Sequence, residues 1–147
     1  MKTLEILLVL LFAAGWCHAE DKNPNIGPKG GKLLENHAPR AEFFIHKDNR
    51  VSITFYDASL KPVPVGTRVV AVTAAPRAGK QVLELEEKNG ALVSKKPLPK
   101  SGFFDEYQIT VEIKESADAK PETFQVRFDL DTCSKCKHPE YACTCSH

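Results

Sequence analysis

The chain has 147 residues, a formal net charge of +1 and 42% hydrophobic residues. No block of Lys and Arg with interleaved aromatics occurs, which argues against a nucleic-acid surface. The 10 Pro and 8 Gly fall mostly between apolar runs, as punctuation between short elements does.

At the front, Lys2, an unbroken apolar run over residues 6–14 and the small residues around Cys17-His18-Ala19 read as a secretory signal peptide over residues 1–19, cut after Ala19. The apolar run is shorter than the roughly 20 residues that a bilayer span requires, so the mature chain is expected to be soluble and periplasmic or secreted. Trp16 stands before Cys17 where a lipoprotein anchor places a small residue, which argues against acylation. The polar, Pro/Gly/Asn-rich residues 20–28 predict an extended leader.

Residues 29–131 predict one all-β domain. Short β-like runs occur over residues 30–35, 41–46, 51–56, 68–74, 81–87, 91–95, 106–115 and 123–130. Several alternate with the period of a half-buried strand: Val51, Ile53 and Phe55 oppose Ser52, Thr54 and Tyr56; Ile109, Val111 and Ile113 oppose Gln108, Thr110 and Glu112; Phe124, Val126 and Phe128 oppose Gln125, Arg127 and Asp129. Turn chemistry separates them, with Asp48-Asn49, Pro62-Val63-Pro64, Ala78-Gly79-Lys80 and, most clearly, Asn89-Gly90. Seven or eight short strands without an amphipathic helix predict a single antiparallel, Ig-like β-sandwich. Gly30-Gly31 lacks the Lys and Ser/Thr of a phosphate loop and reads as a turn. The Phe43-Phe44 and Phe103-Phe104 pairs read as core and sheet-edge residues, Glu84, Glu86 and Glu87 as a solvated strand face.

The chemistry concentrates in residues 132–147, an irregular tail in which Cys133-x-x-Cys136 and Cys143-x-Cys145 are joined by Lys137-His138-Pro139-Glu140-Tyr141-Ala142 and followed by Ser146-His147. Four thiols suit a tetrahedral Zn(II) shell, or a smaller thiolate set around Cu(I), with His138 and His147 as substitute ligands. Hard cations would want oxygen ligands that the segment hardly offers. Lys135 and Lys137 read equally as cations that favour thiolate and as two solubilising lysines. The competing reading is local disulfides, since an even number of cysteines in an exported chain suggests oxidation. All four cysteines follow the last predicted strand, so the tail is expected to be flexible and dispensable to the sandwich. A second metal site from His37 and His46 with Glu35 or Glu42 has no motif spacing in its favour. No catalytic triad or carboxylate pair is legible, and a thiol oxidoreductase would need a helix after its Cys-x-x-Cys; a binding protein is therefore expected rather than an enzyme.

The run Gly27-Pro28-Lys29-Gly30-Gly31-Lys32-Leu33-Leu34-Glu35, the Ala41-Glu42-Phe43-Phe44 strand, Phe55-Tyr56-Asp57 and the Lys61-Pro62-Val63-Pro64 turn resemble the small periplasmic β-domain at the front of heavy-metal efflux adaptors of the membrane-fusion type. The tail is similar to that of small exported bacterial proteins of unknown function that finish in a Cys-x-x-Cys and Glu-Tyr-Ala-Cys-x-Cys pattern. The resemblance implies a Gram-negative periplasmic setting, metal handling, and a metal-efflux component as partner; the sequence stops where an adaptor continues into its coiled-coil hairpin and lipoyl-like domain.

Overall fold

The computed structural model describes residues 25–34, 39–100 and 106–145. The predicted signal peptide, most of the leader, Glu35, His37, Phe103-Phe104 and His147 lie outside the described residues. Among the described residues every regular element is a strand: β1 (Lys32–Leu33), β2 (Arg40–Ile45), β3 (Val51–Tyr56), β4 (Pro62–Val63), β5 (Val69–Ala75), β6 (Gln81–Leu83), β7 (Leu85–Lys88), β8 (Ala91–Ser94), β9 (Gln108–Lys114) and β10 (Glu122–Arg127). One sheet runs β1-β2-β3-β8-β7, with β4 also on β3, and the other runs β10-β9-β5-β6; all the pairings are antiparallel. The two sheets share one core, in which Phe43, Ile53 and Phe55 of the first meet Val72, Ile109, Val111 and Val126 of the second. The expected antiparallel sandwich is therefore the fold.

Two departures from the sequence reading have clear causes. The run over residues 81–87 divides at Glu84, so that β6 pairs with β5 in one sheet while β7 pairs with β8 in the other; a strand that crosses between sheets reads as continuous because its composition does not change. The Lys61-Pro62-Val63-Pro64 segment, predicted as a turn, contributes the short β4, which pairs with the end of β3 at Phe55 and Tyr56. Proline is tolerated there because β4 lies at the margin of the sheet. The Asn89-Gly90 signal is realised as expected, with both residues at positive φ (53° and 74°) between β7 and β8.

β3 is the instructive strand. Its alternation predicts one buried and one open face, yet all six residues are buried. Beside Thr54 and Tyr56 on its second face lies the loop at residues 26–31, held by Glu42, which is itself fully buried. Glu42 Oε1 accepts the backbone N–H groups of Lys29 (2.9 Å) and Gly31 (2.8 Å), and Oε2 accepts the Tyr56 hydroxyl at 2.7 Å. Lys29 Nζ then donates to Thr54 Oγ1 at 2.8 Å. Gly27 and Gly31 are glycine for a steric reason: a Cβ on the first would meet the Glu42 side chain, and one on the second the Phe43 backbone carbonyl. A buried carboxylate is costly unless each oxygen is satisfied; the loop supplies the donors to Oε1 and Tyr56 of β3 the donor to Oε2.

Glu42→Leu, which leaves two N–H groups and a hydroxyl unpaired, is expected to cost about 3 kcal/mol or more of stability, and Glu42→Gln, which keeps one acceptor oxygen, about 1–2 kcal/mol. Urea unfolding followed by circular dichroism checks this through the midpoint at unchanged slope; equal midpoints for wild type and Glu42→Leu would exclude the role given to this carboxylate.

Candidate metal centre

The chain beyond β10 is more ordered than the sequence suggests. Phe128 continues the ladder by donating its N–H to the Tyr107 carbonyl (2.8 Å), and its ring stacks on Tyr107 with centroids 4.7 Å apart. The following residues then fold back on themselves. Tyr141 N–H donates to the Asp129 carbonyl (3.1 Å), Glu140 N–H to that of Asp131 (2.8 Å) and Cys133 N–H to that of His138 (2.8 Å), with a bridge between Thr132 and Pro139. The result is a narrow irregular hairpin whose tip is the Cys133-x-x-Cys136 turn. Lys137, at φ 62°, closes that turn by donating its N–H to the Cys133 carbonyl at 3.0 Å. A second turn, in which Ala142 and Cys143 N–H groups donate to the Pro139 carbonyl (each 3.0 Å), returns Cys143 and Cys145 to the tip. The segment between the cysteine pairs thus joins the two halves as the sequence reading expects.

These turns bring together Cys133, Cys136, Cys143 and Cys145, whose sulfurs all lie within 4.8 Å of one another. Sulfurs at the corners of a tetrahedron around Zn(II), with Zn–S near 2.3 Å, stand about 3.8 Å apart. Cys136 Sγ and Cys143 Sγ are 3.5 Å apart, so the cluster matches that spacing. The donor set is uniform and soft, as a thiophilic ion requires. Cys133 is fully buried, while the other three are half-buried.

Backbone dipoles tune the sulfurs. The Cys136 N–H holds the Cys133 thiol down to about 6, with the Lys135 N–H adding to it. Burial pushes the Cys143 thiol up to about 12, opposed by the Cys145 N–H, which donates to Cys143 Sγ at 3.2 Å. The expectation that the Lys135 and Lys137 side chains favour thiolate gives way to these main-chain donors, and Lys137 Nζ is turned to the Ser134 carbonyl at 2.7 Å. Two of the sulfurs are therefore met by amide N–H groups that stabilise negative charge on sulfur.

Of the two histidines offered as substitute ligands, His138 enters the site through its main chain, accepting the Cys133 N–H, and the clustered ligand atoms are the four sulfurs. The second site is not assembled among the described residues. Glu42 has its oxygens committed to the loop at residues 26–31, and His46 packs edge-on against Phe44 at 5.0 Å. Burial holds the His46 imidazole below its ordinary value.

The residue that sequence reasoning missed is Tyr141. It is buried, and with the fully buried Ala142 it belongs to the sandwich core. Its ring meets Phe43 edge-on at 6.0 Å, and its hydroxyl accepts the Ile45 N–H at 3.2 Å. β1 pairs only with Glu42 and Phe43, so the tyrosine caps β2 beyond the point where its neighbour strand stops. Part of the tail expected to be flexible and dispensable thus packs in the sandwich core. The available signal was an aromatic residue beside a small one, Tyr141-Ala142, inside an otherwise polar cysteine loop.

No model of a known protein family, no curated protein and no solved structure is significantly similar to this chain.

Tyr141→Ala is expected to cost about 3–5 kcal/mol, as large aromatic truncations in a core do, and Tyr141→Phe about 1–2 kcal/mol through the unpaired Ile45 N–H. Loss of amide-exchange protection at Ile45 in Tyr141→Phe, with the remainder of β2 unaffected, is the expected signature; unchanged protection there would contradict the assignment.

Proposed function

We propose that this is an exported, periplasmic protein that binds one thiophilic metal ion, Zn(II) or Cu(I), through Cys133, Cys136, Cys143 and Cys145, and that it buffers or delivers that ion or serves as an accessory to its efflux. The observation that carries the reading is the convergence of four sulfurs to within 4.8 Å at a spacing suited to tetrahedral thiolate coordination. Zn(II) is the better match, because a set of four exceeds the lower coordination that Cu(I) prefers. The front-end apolar run supports export, and the resemblance of most of residues 27–130 to the leading domain of metal-efflux adaptors supports the metal-handling role and a periplasmic efflux component as partner. The three half-buried cysteines leave sulfur within reach of a competing thiol, as delivery requires. Among the described residues no helix is long and apolar enough to cross a membrane.

A second reading is favoured by a specific observation. Tyr141 and Ala142, between the two cysteine pairs, are part of the sandwich core, as they would be in an interaction module whose cysteines form a structural zinc knuckle or local disulfides. Metal transfer to a thiol-rich competitor without unfolding supports delivery; transfer only in step with loss of the β-sheet spectrum supports the knuckle.

Reduced protein is expected to take up one Zn(II) per chain, read by native mass spectrometry. Serine at any one of the four positions should weaken binding by more than the roughly 10–100-fold typical of losing an outer-shell partner, and His138→Ala should change it far less. Because protons compete for every thiolate, apparent affinity should fall as pH is lowered from about 7.5 to about 5.5. Uptake insensitive to the cysteine replacements would remove the proposal's basis.

A further inference from the structure

We propose, building on the metal-binding reading above, that Cys136 and Cys143 are a disulfide-forming pair that trades places with the bound ion, so that a disulfide-bearing oxidant expels the metal while the new bond keeps the tail docked. Their sulfurs stand 3.5 Å apart, and a disulfide of about 2.05 Å asks them to close by only about 1.5 Å. Both residues are half-buried, open to a small oxidant or to the active site of a thiol exchanger.

The pairings through Cys133 and the pairing of Cys143 with Cys145 are worse placed. Cys133 has no exposed surface, and both its main-chain groups are tied into the hairpin, its N–H to His138 and its carbonyl to Lys137. Cys143 and Cys145 are separated by a single residue, and the Cys145 N–H is directed at Cys143 Sγ, so a bond between them would close a tight ring and break that contact. Cys136 and Cys143 instead bracket six residues that include Tyr141 and Ala142. A bond at the neck of this loop performs the ion's mechanical task, because it holds together the two arms between which Tyr141 enters the core.

The chemistry balances with the oxidant's own disulfide as electron acceptor. One thiolate of the pair attacks the oxidant's S–S bond, forming a mixed disulfide and releasing one thiolate; the other thiolate then attacks the mixed disulfide at the cysteine sulfur and releases the second. Two electrons pass from the two cysteine sulfurs to the oxidant, whose S–S bond becomes two thiolates. No proton need move, since both metal-bound sulfurs begin as thiolates. Only Cys133 and Cys145 remain as sulfur ligands, too few for the tetrahedral shell, and the ion leaves. In an oxidising compartment the chain would rest as the disulfide, and metal uptake would follow reduction.

The experiment uses the reduced, Zn(II)-loaded chain treated with oxidised glutathione. The expected result is one Zn(II) released, as read by a chromogenic chelator, for every two protein thiols lost, with a Cys136–Cys143 bond found by non-reducing peptide mapping. The oxidised, metal-free protein should melt about 5–10 °C above the reduced, metal-free protein, as a short closed loop in a domain of this size provides. Cys145→Ser, which leaves the pair intact, should form the same bond and show the same rise whatever its affinity for Zn(II). A bond mapped instead to any other pair of the four cysteines, or an oxidised protein that melts with the reduced metal-free one, overturns the proposal. Should the reduced chain take up no Zn(II), both the metal reading and the exchange fall; should it bind Zn(II) and keep it under oxidant, the exchange alone falls.

Discussion

The seat of Tyr141 against Phe43 and the Ile45 N–H joins the two parts of this molecule that its sequence presents as separate. Without it the cysteine hairpin would lean on local main-chain bonds between residues 129–133 and 138–141, and a two-stranded hairpin by itself is at best marginally stable in water. With it the hairpin that carries the four sulfurs is fixed to the sandwich core, and an anchored site spends less of its binding free energy on ordering the chain. The same contact makes the sandwich sensitive to the tail, because the tyrosine satisfies a strand edge that β1 is too short to reach.

The second constraint is the buried carboxylate of Glu42. The glycines at 27 and 31, the N–H groups of Lys29 and Gly31 and the Tyr56 hydroxyl all serve it, and burial together with the bond to Glu42 raises the Tyr56 phenol well above its ordinary value. They fold a loop over the outer face of β2 and β3 and pin it by one acid.

The sandwich was legible because the alternation of Val51, Ile53, Phe55 and of Ile109, Val111, Ile113 places one set of side chains in the core, and period-two patterning is a local property. The burial of Thr54 and Tyr56 was not legible, since the loop beside them arrives from residues 26–31 and is recognised only through a long-range bond to Glu42. The crossing of residues 81–87 between sheets was hidden for a related reason: Leu83 and Leu85 sit either side of Glu84 with the same alternation that an uninterrupted strand would show. The cluster of four cysteines was legible from its spacing, but the anchor between them was not, because a tyrosine in a polar loop has no periodicity to declare its burial. The main-chain origin of the thiol tuning was equally invisible, as nearby lysines suggest a side-chain cause that the geometry does not use.

The central claim is that Cys133, Cys136, Cys143 and Cys145 form one metal centre built into the fold. Zinc-edge X-ray absorption on the reduced, Zn(II)-loaded full chain tests it most directly. The account predicts a single shell of four sulfurs at about 2.3 Å with no nitrogen or oxygen scatterer at about 2.0–2.1 Å. A shell with two or fewer sulfurs, completed by nitrogen or oxygen, would contradict it.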